Sequence, residues 1–236
     1  MKLKELKESI DKVGEEYLVV NKPFGVTVLD DRSGAKGLLE LVRQLYPSAQ
    51  ACHRIDKDTS GAVLFALNPD AYRHASIQFQ NRKIKKVYHA LVHGRAEFQE
   101  LKEARRIMSS ENSSWTHING KDSLTYFQTL EMFKNHTFVE CRPVTGRMHQ
   151  IRVHLQALEH PIVSDILYGG EDLYLSEEKK KFNIGKYEDE RPIMGRLALH
   201  AYSLEFEDRD NITHKVEKMY PKDLKATLNQ LRKMKK

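Results

Sequence analysis

The sequence is poor in cysteine and contains no long apolar run. Its 236 residues include only two cysteines, Cys52 and Cys141, and no CxxC pair, so neither a disulfide framework nor a thiolate metal site is supported. No apolar segment approaches the roughly 20 residues that a membrane-spanning helix needs. The charged N-terminal stretch MKLKELKESIDKVG lacks the apolar centre of a signal peptide. We therefore expect a soluble, cytoplasmic protein that does not enter a membrane.

Several common site motifs are also missing. The sequence contains neither GxxxxGK[ST] nor GxGxxG, so no nucleotide-phosphate loop is predicted. Eleven histidines are present, but His149 and His154 are five positions apart and would not share one face of a helix as the histidines of HExxH do. We predict no metal site, and we interpret His53 and His160 as hydrogen-bonding residues that hold loops.

The charge that is present is basic and unevenly distributed. The formal net charge is +6, and Lys and Arg are concentrated at residues 82–86, 142–152 and 222–236. Such clusters favour a polyanionic partner, although many basic proteins bind no nucleic acid. If the partner is RNA, binding should weaken steeply with salt, and deletion of residues 222–236 should lower affinity more than the single-turnover rate.

The hydrophobic pattern predicts a mixture of strands and helices. Strands are expected at 16–20, 62–67, 86–93, 123–130, 136–142 and 196–206, and helices at 35–46, 69–80, 146–159 and 222–236. Asn68-Pro69 is typical of a helix start. Residues 97–121 are expected to form an irregular excursion or a short hairpin, and residues 176–191 an exposed loop. Because regular helices do not separate the strands, we predict one α+β domain around a largely antiparallel sheet.

The stretch CHRIDKDTSG, residues 52–61, places Asp56 directly before the apolar run AVLFAL. On chemical grounds this carboxylate is a nucleophile, a general base, or a turn carboxylate that caps the Thr-Ser-Gly that follows. A glycosidase would need a second carboxylate across the scissile bond, usually from another element, and the sequence does not decide this. The residues alone leave all these roles open.

Four ordered motifs resemble the RluA-type family of pseudouridine synthases. HRIDKDTSG is similar to the family signature HRLDxxTSG, and LVVNKPFGV at 18–26 resembles its first motif. KVYHALVHG at 86–94 resembles its tyrosine-bearing strand, and GRMHQIRVHL at 146–155 resembles GRTHQIRVHL. HPIVSDILYGG and RLALHAYSLEF resemble the closing segments. The resemblance covers residues 14–206, with Met148 in place of a threonine and Ser164 in place of a frequent glycine.

The resemblance implies a fold and a reaction. The fold would be the pseudouridine synthase fold, an α+β fold with a mixed, mainly antiparallel sheet flanked by helices and loops. The reaction would isomerise uridine in RNA without a cofactor, by breaking the N1–C1′ bond, rotating the base and rejoining it through C5. We expect a single catalytic domain over residues 1–236, with a core at 14–206, a divergent segment at 207–236 and no S4-like domain.

The resemblance also assigns roles to three residues. Asp56 would attack C1′ of the ribose or remove the 2′ proton, and either role requires an ionised carboxylate. Arg152 would supply the guanidinium that keeps Asp56 charged. Tyr88 would stack on the flipped base and accept a proton at C5. Stacking of this kind contributes about 1–3 kcal/mol per base.

Further residues would bind or accommodate the RNA. Arg54 would fill the space left by the base when it leaves its stack, which costs a few kcal/mol. One of Leu197 and Leu199 would pack beneath the tyrosine. Four residues would contact phosphates or position the loop: Lys22, Lys86, Arg147 and Gln150.

The sequence therefore predicts a monomeric RNA pseudouridine synthase that acts on structured rRNA or tRNA and binds no DNA. The principal alternative is an RNA-binding or RNA-folding protein on the same fold that does not use catalysis. A third, weaker alternative is a carboxylate-dependent nucleosidase or glycosidase, which would release free uracil or sugar.

Overall fold

The computed structural model describes residues 3–30, 34–179 and 190–234. In chain order the elements are α1 (Leu3–Ser9), β1 (Ile10–Val13), β2 (Tyr17–Lys22), α2 (Leu38–Arg43), β3 (Gln50–Ala51), β4 (Ser60–Ala66), α3 (Pro69–Gln80), β5 (Lys85–His93), β6 (Leu101–Glu103), β7 (Ile107–Ser109), β8 (Ser114–Thr116), β9 (Thr125–Met132), β10 (His136–Pro143), α4 (Gln150–Ala157), a 3₁₀ turn (Ile166–Tyr168), α5 (Leu175–Glu178), β11 (Leu199–Glu207), β12 (Thr213–Glu217) and α6 (Lys222–Met234).

The chain forms two compact units, and each contains two separate segments of sequence. The first unit comprises Met1–Val87 and His200–Met219, and the second comprises Tyr88–Leu199 and Tyr220–Lys236. The chain passes from one unit to the other within β5, within β11 and before α6. The expectation of one catalytic domain concerns the two units acting together and stays a prediction.

The first unit is built around β4, in which all seven residues are buried. β2 pairs with β4 in antiparallel orientation, and β1 pairs with β2 in the same way. On the other side, Ser60 and Gly61 pair with β11 in parallel orientation, and β11 pairs antiparallel with β12. A strand covered on both faces needs an unbroken apolar run, which is why AVLFAL does not alternate with polar residues.

The second unit contains an antiparallel sheet in the order β5, β10, β9, β6. The separate β7–β8 hairpin lies between β6 and β9 in sequence. The core of this unit combines β5, β10 and α4 with α6, which contributes Leu224, Leu228 and Leu231. A smaller apolar cluster joins the hairpin to α4 and the 3₁₀ turn through Ile107, Val153 and Tyr168.

Most of the predicted elements are confirmed, with shifts at their ends. α3 begins as predicted, because Asn68 accepts a hydrogen bond at Oδ1 from Ala71 N at 2.8 Å. The polar excursion contains the β7–β8 hairpin, one of the two forms expected. β1 and β12 were not predicted, and α4 begins four residues later than expected. The predicted loop at 176–191 lies mostly outside the described residues.

One predicted feature of the helices is corrected and another is confirmed. The helical pattern of residues 146–159 places Arg152 away from the apolar face of Ile151 and Leu155, but Gln150 to Leu155 are all buried, so this helix has no exposed charged face there. The C-terminal helix α6 was predicted to be a basic helix with Leu224, Leu228 and Leu231 turned inward, and the structure confirms this. Its inward leucines belong to the core of the second unit, so deletion of residues 222–236 would remove core packing together with charge.

Two absences hold for the described ranges only. Within them, no helix combines the length and apolar character required to cross a membrane. The same residues contain no group of three or more His, Cys, Asp or Glu side chains placed to hold a metal ion.

Candidate active site

Asp56 opens a tight turn at the N-terminal end of the buried strand β4. Thr59 N donates to Asp56 O at 3.1 Å and closes the turn. The carbonyl of Lys57 accepts from Gly25 N and from Lys22 Nζ, both at 2.9 Å. The Asp56 side chain is half-buried, while Lys57 and Asp58 are exposed. The backbone of the turn is thus held by hydrogen bonds to the protein, while the side chains of Lys57 and Asp58 point to solvent.

Lys22 holds this turn from inside the protein. Its side chain is fully buried, and its ammonium group donates to three carbonyls: Pro23 O at 3.1 Å, Val26 O at 2.6 Å and Lys57 O at 2.9 Å. Of the two roles predicted for Lys22, its buried position supports loop positioning and does not fit contact with a phosphate.

The three residues Thr59, Ser60 and Gly61 fix the direction in which the chain leaves the turn. Ser60 is fully buried, and its Oγ lies 2.9 Å from Nδ1 of His200. Gly61 has a φ of +114°, and a Cβ there would collide with the backbone of Ala201, whose nitrogen would be 2.7 Å away. Only glycine fits this position without displacing β11.

His53 and Lys86 are two half-buried basic groups in the first unit. His53 Nε2 accepts a hydrogen bond from Leu64 N at 3.0 Å, and its ring centroid lies 4.7 Å from that of Phe79. Burial lowers the pKa of His53 to about 3, and the nearby Lys86 adds to the effect. Burial and the charge of Arg82 lower the pKa of Lys86 to about 8.

The loop-holding role predicted for two histidines is confirmed. His53 fixes the chain before Asp56 to β4 as described, and His160 Nδ1 lies 2.9 Å from His93 O. Arg54, directly after His53, is exposed. An exposed guanidinium beside a fixed histidine can reach a ligand while its backbone stays in place.

In the second unit, Tyr88 lies on β5 opposite Cys141 of β10. It is half-buried and packs against the main apolar cluster of this unit. Leu197 and Leu199 are both buried members of that cluster. Which of the two leucines packs beneath the tyrosine stays a prediction.

The loop before α4 is organised by Gln150. Its Oε1 accepts from Thr145 Oγ1 at 2.7 Å and from Arg147 N at 3.0 Å, and its Nε2 donates to Leu124 O at 3.0 Å. These contacts fit the loop-positioning role, one of the two roles predicted for Gln150, and the choice between the two stays a prediction. Arg147 is half-buried, and its Nε donates to Asp122 O at 3.0 Å.

Arg152 belongs to a buried polar group in the second unit. Its Nε donates to Asp165 Oδ2 at 2.8 Å, and its Nη2 donates to Asp165 Oδ1 at 2.6 Å. The guanidinium carbon also lies 4.8 Å from the ring centroid of Tyr168. Burial of an arginine side chain is costly, and a bidentate carboxylate partner of this kind offsets the cost of removing the charge from water.

A model of the RNA pseudouridylate synthase family matches residues 16–157, more than half of the chain. The chain belongs to this family. Ribosomal large subunit pseudouridine synthase C from Vibrio parahaemolyticus is 37% identical over 218 residues, which cover 89% of this chain and 64% of that protein. The protein of the same name from Haemophilus influenzae is 35% identical over 227 residues, which cover 92% of this chain and 67% of that one.

Solved structures of pseudouridylate synthases have the same fold. Human RNA pseudouridylate synthase domain containing 1 superposes with a TM-score of 0.70 at 29% identity, covering 90% of this chain and 83% of the other. Human RNA pseudouridylate synthase domain containing 4 superposes with a TM-score of 0.76 at 22% identity, covering 98% and 95%. The predicted α+β pseudouridine synthase fold is confirmed. The chain spans just under two thirds of the Vibrio relative.

Two residues of this family member were missed by sequence reasoning. Asp165 and Tyr168 both belong to HPIVSDILYGG, a segment noted only for its resemblance to the family. The available signal was an acid and a tyrosine three residues apart beside Ser164, which has a left-handed φ of 59°. Ser164 stands where the family often has glycine, and its Oγ donates to Met194 O at 2.8 Å.

The structure groups the predicted residues within each of the two units. In the first unit, Lys22 directly supports the turn of Asp56, with Arg54 just before it. In the second unit, Gln150 organises the start of the helix that carries Arg152. The predicted association of Asp56 with Tyr88 and Arg152 involves both units and stays a prediction.

Proposed function

We propose that this chain is an RNA pseudouridine synthase that isomerises uridines in structured rRNA or tRNA. The observation that carries the proposal is the turn of Asp56, which Lys22 and Thr59 fasten inside the region matched by the family model. The names of the relatives, which refer to the ribosomal large subunit, favour rRNA as the substrate.

The proposed reaction conserves all atoms of the nucleotide. Asp56 either attacks C1′ as the N1–C1′ bond breaks or removes the 2′ proton to assist that cleavage. After the base rotates, C5 bonds to C1′. In the first route the bond between Asp56 and C1′ breaks at this step, and in the second route C2′ regains its proton from Asp56. The proton lost from C5 is balanced by a proton gained at N1. Tyr88 is proposed to stack on the base and to accept the C5 proton. No electron donor or acceptor is required by this balance.

Arg54 is proposed to help the uridine leave a stem. Unstacking and unpairing a base costs a few kcal/mol, and an exposed guanidinium can occupy the vacated position and bind neighbouring phosphates. Arg152 is proposed to provide the positive charge that keeps Asp56 ionised. Its buried, fixed guanidinium is suited to this task, because a preorganised charge does not have to reorient during the reaction.

The test compares Asp56→Asn with the matched control Asp58→Asn, which removes an exposed carboxylate from the same turn. Unmodified large-subunit rRNA and tRNA transcripts are incubated with each protein, and pseudouridine is mapped chemically. We expect wild type and Asp58→Asn to modify the same uridines and Asp56→Asn to modify none. Equal modification by Asp56→Asn would show that Asp56 is not the catalyst.

The same experiment separates the alternatives. A non-catalytic RNA-binding protein would form no pseudouridine, and Asp56→Asn would bind RNA as tightly as wild type. A nucleosidase would release free uracil, detectable by chromatography. Arg54→Ala adds a test of base flipping: it should slow modification of a uridine in a stem much more than modification of the same uridine in an unpaired oligonucleotide. An equal effect on both substrates contradicts this role.

A further inference from the structure

The Arg152–Asp165 pair is buried and well oriented. Arg152 is 7% exposed and Asp165 is 2% exposed. Removing both charges from water is costly, and only a bidentate geometry with further hydrogen bonds offsets the cost. Asp165 binds Nε and Nη2 and therefore accounts for two of the five guanidinium hydrogens. The pair fixes the plane of the guanidinium.

Tyr168 supports the same guanidinium from one face. Its ring lies below the Arg152 guanidinium carbon at 4.8 Å, a cation–π distance. Its hydroxyl accepts from Ser114 N at 2.9 Å and lies 2.8 Å from His149 Nδ1. The hydroxyl thus contacts one backbone amide and one histidine ring nitrogen.

The partners of Tyr168 lie on two different elements. Ser114 is the first residue of β8, so its amide ties the β7–β8 hairpin to the tyrosine. His149 precedes α4 with a left-handed φ of 54°, a conformation that non-glycine residues adopt at an energetic cost. The next hairpin residue, Trp115, is 41% exposed. One tyrosine therefore connects an exposed hairpin, the strained start of α4 and the guanidinium of Arg152.

We propose that Asp165 and Tyr168 are positioning residues for Arg152, and that Tyr168 makes the orientation of this guanidinium depend on the β7–β8 hairpin. The inference rests on the proposed function, in which Arg152 acts on Asp56. Neither Asp165 nor Tyr168 has to touch the RNA. If RNA contacts the hairpin and moves it, the Ser114 amide would move the hydroxyl of Tyr168, and the tyrosine ring would in turn change the orientation of the Arg152 guanidinium.

The main test uses Tyr168→Phe, which keeps the ring under the guanidinium and removes both hydroxyl contacts. The matched control is Tyr17→Phe in the first unit. Tyr17 is also buried, and its hydroxyl likewise has one backbone partner and one histidine Nδ1 partner, Ala71 O at 3.1 Å and His74 at 3.2 Å. Both variants lose a tyrosine hydroxyl of the same type, so a general loss of stability would affect both.

Single-turnover rates at saturating RNA give the first result. Loss of one neutral hydrogen bond corresponds to about a fivefold change, so Tyr168→Phe should slow the reaction about 5-fold or more with little change in RNA affinity. Tyr17→Phe should retain the wild-type rate. Asp165→Asn should slow the reaction about 100-fold, as expected for a misplaced catalytic group. Unchanged rates for both Tyr168→Phe and Asp165→Asn in folded protein would overturn the proposal.

A double-mutant cycle shows whether Asp165 acts through Arg152. In an Arg152→Lys background, which lacks the bidentate fork, adding Asp165→Asn should slow the reaction less than about threefold if the two residues act together. The same loss in both backgrounds would mean that Asp165 acts independently, and the proposal would be wrong.

Nuclear magnetic resonance provides a reading that does not depend on activity. In wild type the Nε–H of Arg152 should give a resolved signal that exchanges slowly with water, and Tyr168→Phe should shift this signal and speed its exchange while Tyr17→Phe does neither. An unchanged signal in Tyr168→Phe overturns the positioning role. If wild type forms no pseudouridine, the proposed function and the catalytic part of this inference both fail, even when the signal behaves as expected.

Discussion

Ser60 and His200 face each other across parallel strands β4 and β11, with Ser60 Oγ 2.9 Å from His200 Nδ1. His200 Nε2 lies 3.1 Å from the carbonyl of Lys218. Since a carbonyl only accepts, Nε2 carries the proton and Nδ1 accepts from the serine hydroxyl. The turn of Asp56 is thereby fastened to a residue 140 positions later in the chain.

Gly61→Ala should severely destabilise the protein. The new methyl group would collide with the backbone of Ala201, and the φ of +114° is strained for alanine. We expect a loss of about 3 kcal/mol or more in the free energy of unfolding, measured by urea denaturation. Gly146→Ala is the matched control, because a Cβ there has nothing within 4 Å. Similar stability of the two variants would contradict the close approach of the strands.

Lys22→Met should weaken the fold and the turn without removing a phosphate contact. Three carbonyls lose their donor, and we expect a loss of about 2–4 kcal/mol in the free energy of unfolding. Lys7→Met, at an exposed position on α1, should cost almost nothing. The dependence of RNA affinity on salt should keep its slope in Lys22→Met. A slope smaller by about 0.9 would instead identify Lys22 as a phosphate ligand.

Lys86 should make stability increase with pH in the alkaline range. Its folded-state pKa is lowered to about 8, so between pH 8 and the ordinary lysine pKa of about 10.4 the unfolded chain holds more protons than the folded one. Stability from this group is therefore gained as pH rises through that window. Below it the charge of Lys86 is unfavourable because of desolvation and the nearby charge of Arg82.

Urea denaturation at pH 7 and pH 9.5 measures this effect. Wild type should gain up to about 2 kcal/mol from Lys86 between these values, and Lys86→Met should lack that gain. The exposed residue Lys85 offers a matched control in Lys85→Met, which should behave like wild type. An identical pH dependence in wild type and Lys86→Met would mean that the lysine is not desolvated in the folded protein.

The two faces of α6 should have separable roles. Leu228→Ala removes a buried side chain from the core and should lower the free energy of unfolding by about 2–5 kcal/mol. Replacement of the exposed lysines Lys222, Lys225 and Lys233 by alanine should leave stability within about 0.5 kcal/mol of wild type. If this face binds RNA, the triple variant should bind more weakly and with a smaller salt dependence. Unchanged affinity would exclude this face from the RNA site.

Elements with a strong local pattern could be predicted from the sequence. β4 was evident from its apolar run, and α3 from the cap at Asn68-Pro69. By contrast, β12 alternates only between exposed and half-buried residues, so it carries little periodic signal. The delayed start of α4 depends on the left-handed His149, a conformation fixed by tertiary contacts with Tyr168 and not by local propensity.

Site residues could be predicted where a sequence motif contains the reacting group. They could not be predicted where the role of a residue depends on a partner that is distant in sequence. The signature around Asp56 indicated the turn, and the structure shows the hydrogen bonds that hold it. The burial of Lys22 depends on three carbonyls that meet only in the folded chain. The partner of Arg152 lies 13 residues away in a separate turn, where no helical or strand period relates the two.

The division of each unit into two sequence segments has a consequence for synthesis on the ribosome. The first unit includes β11 and β12, so residues up to Val87 cannot complete their sheet until His200–Met219 have left the exit tunnel. The second unit, in turn, waits for α6. Most of the protein is therefore synthesised before either core can form. Such late, long-range pairing favours slow folding, during which unpaired strand edges are exposed to chaperones.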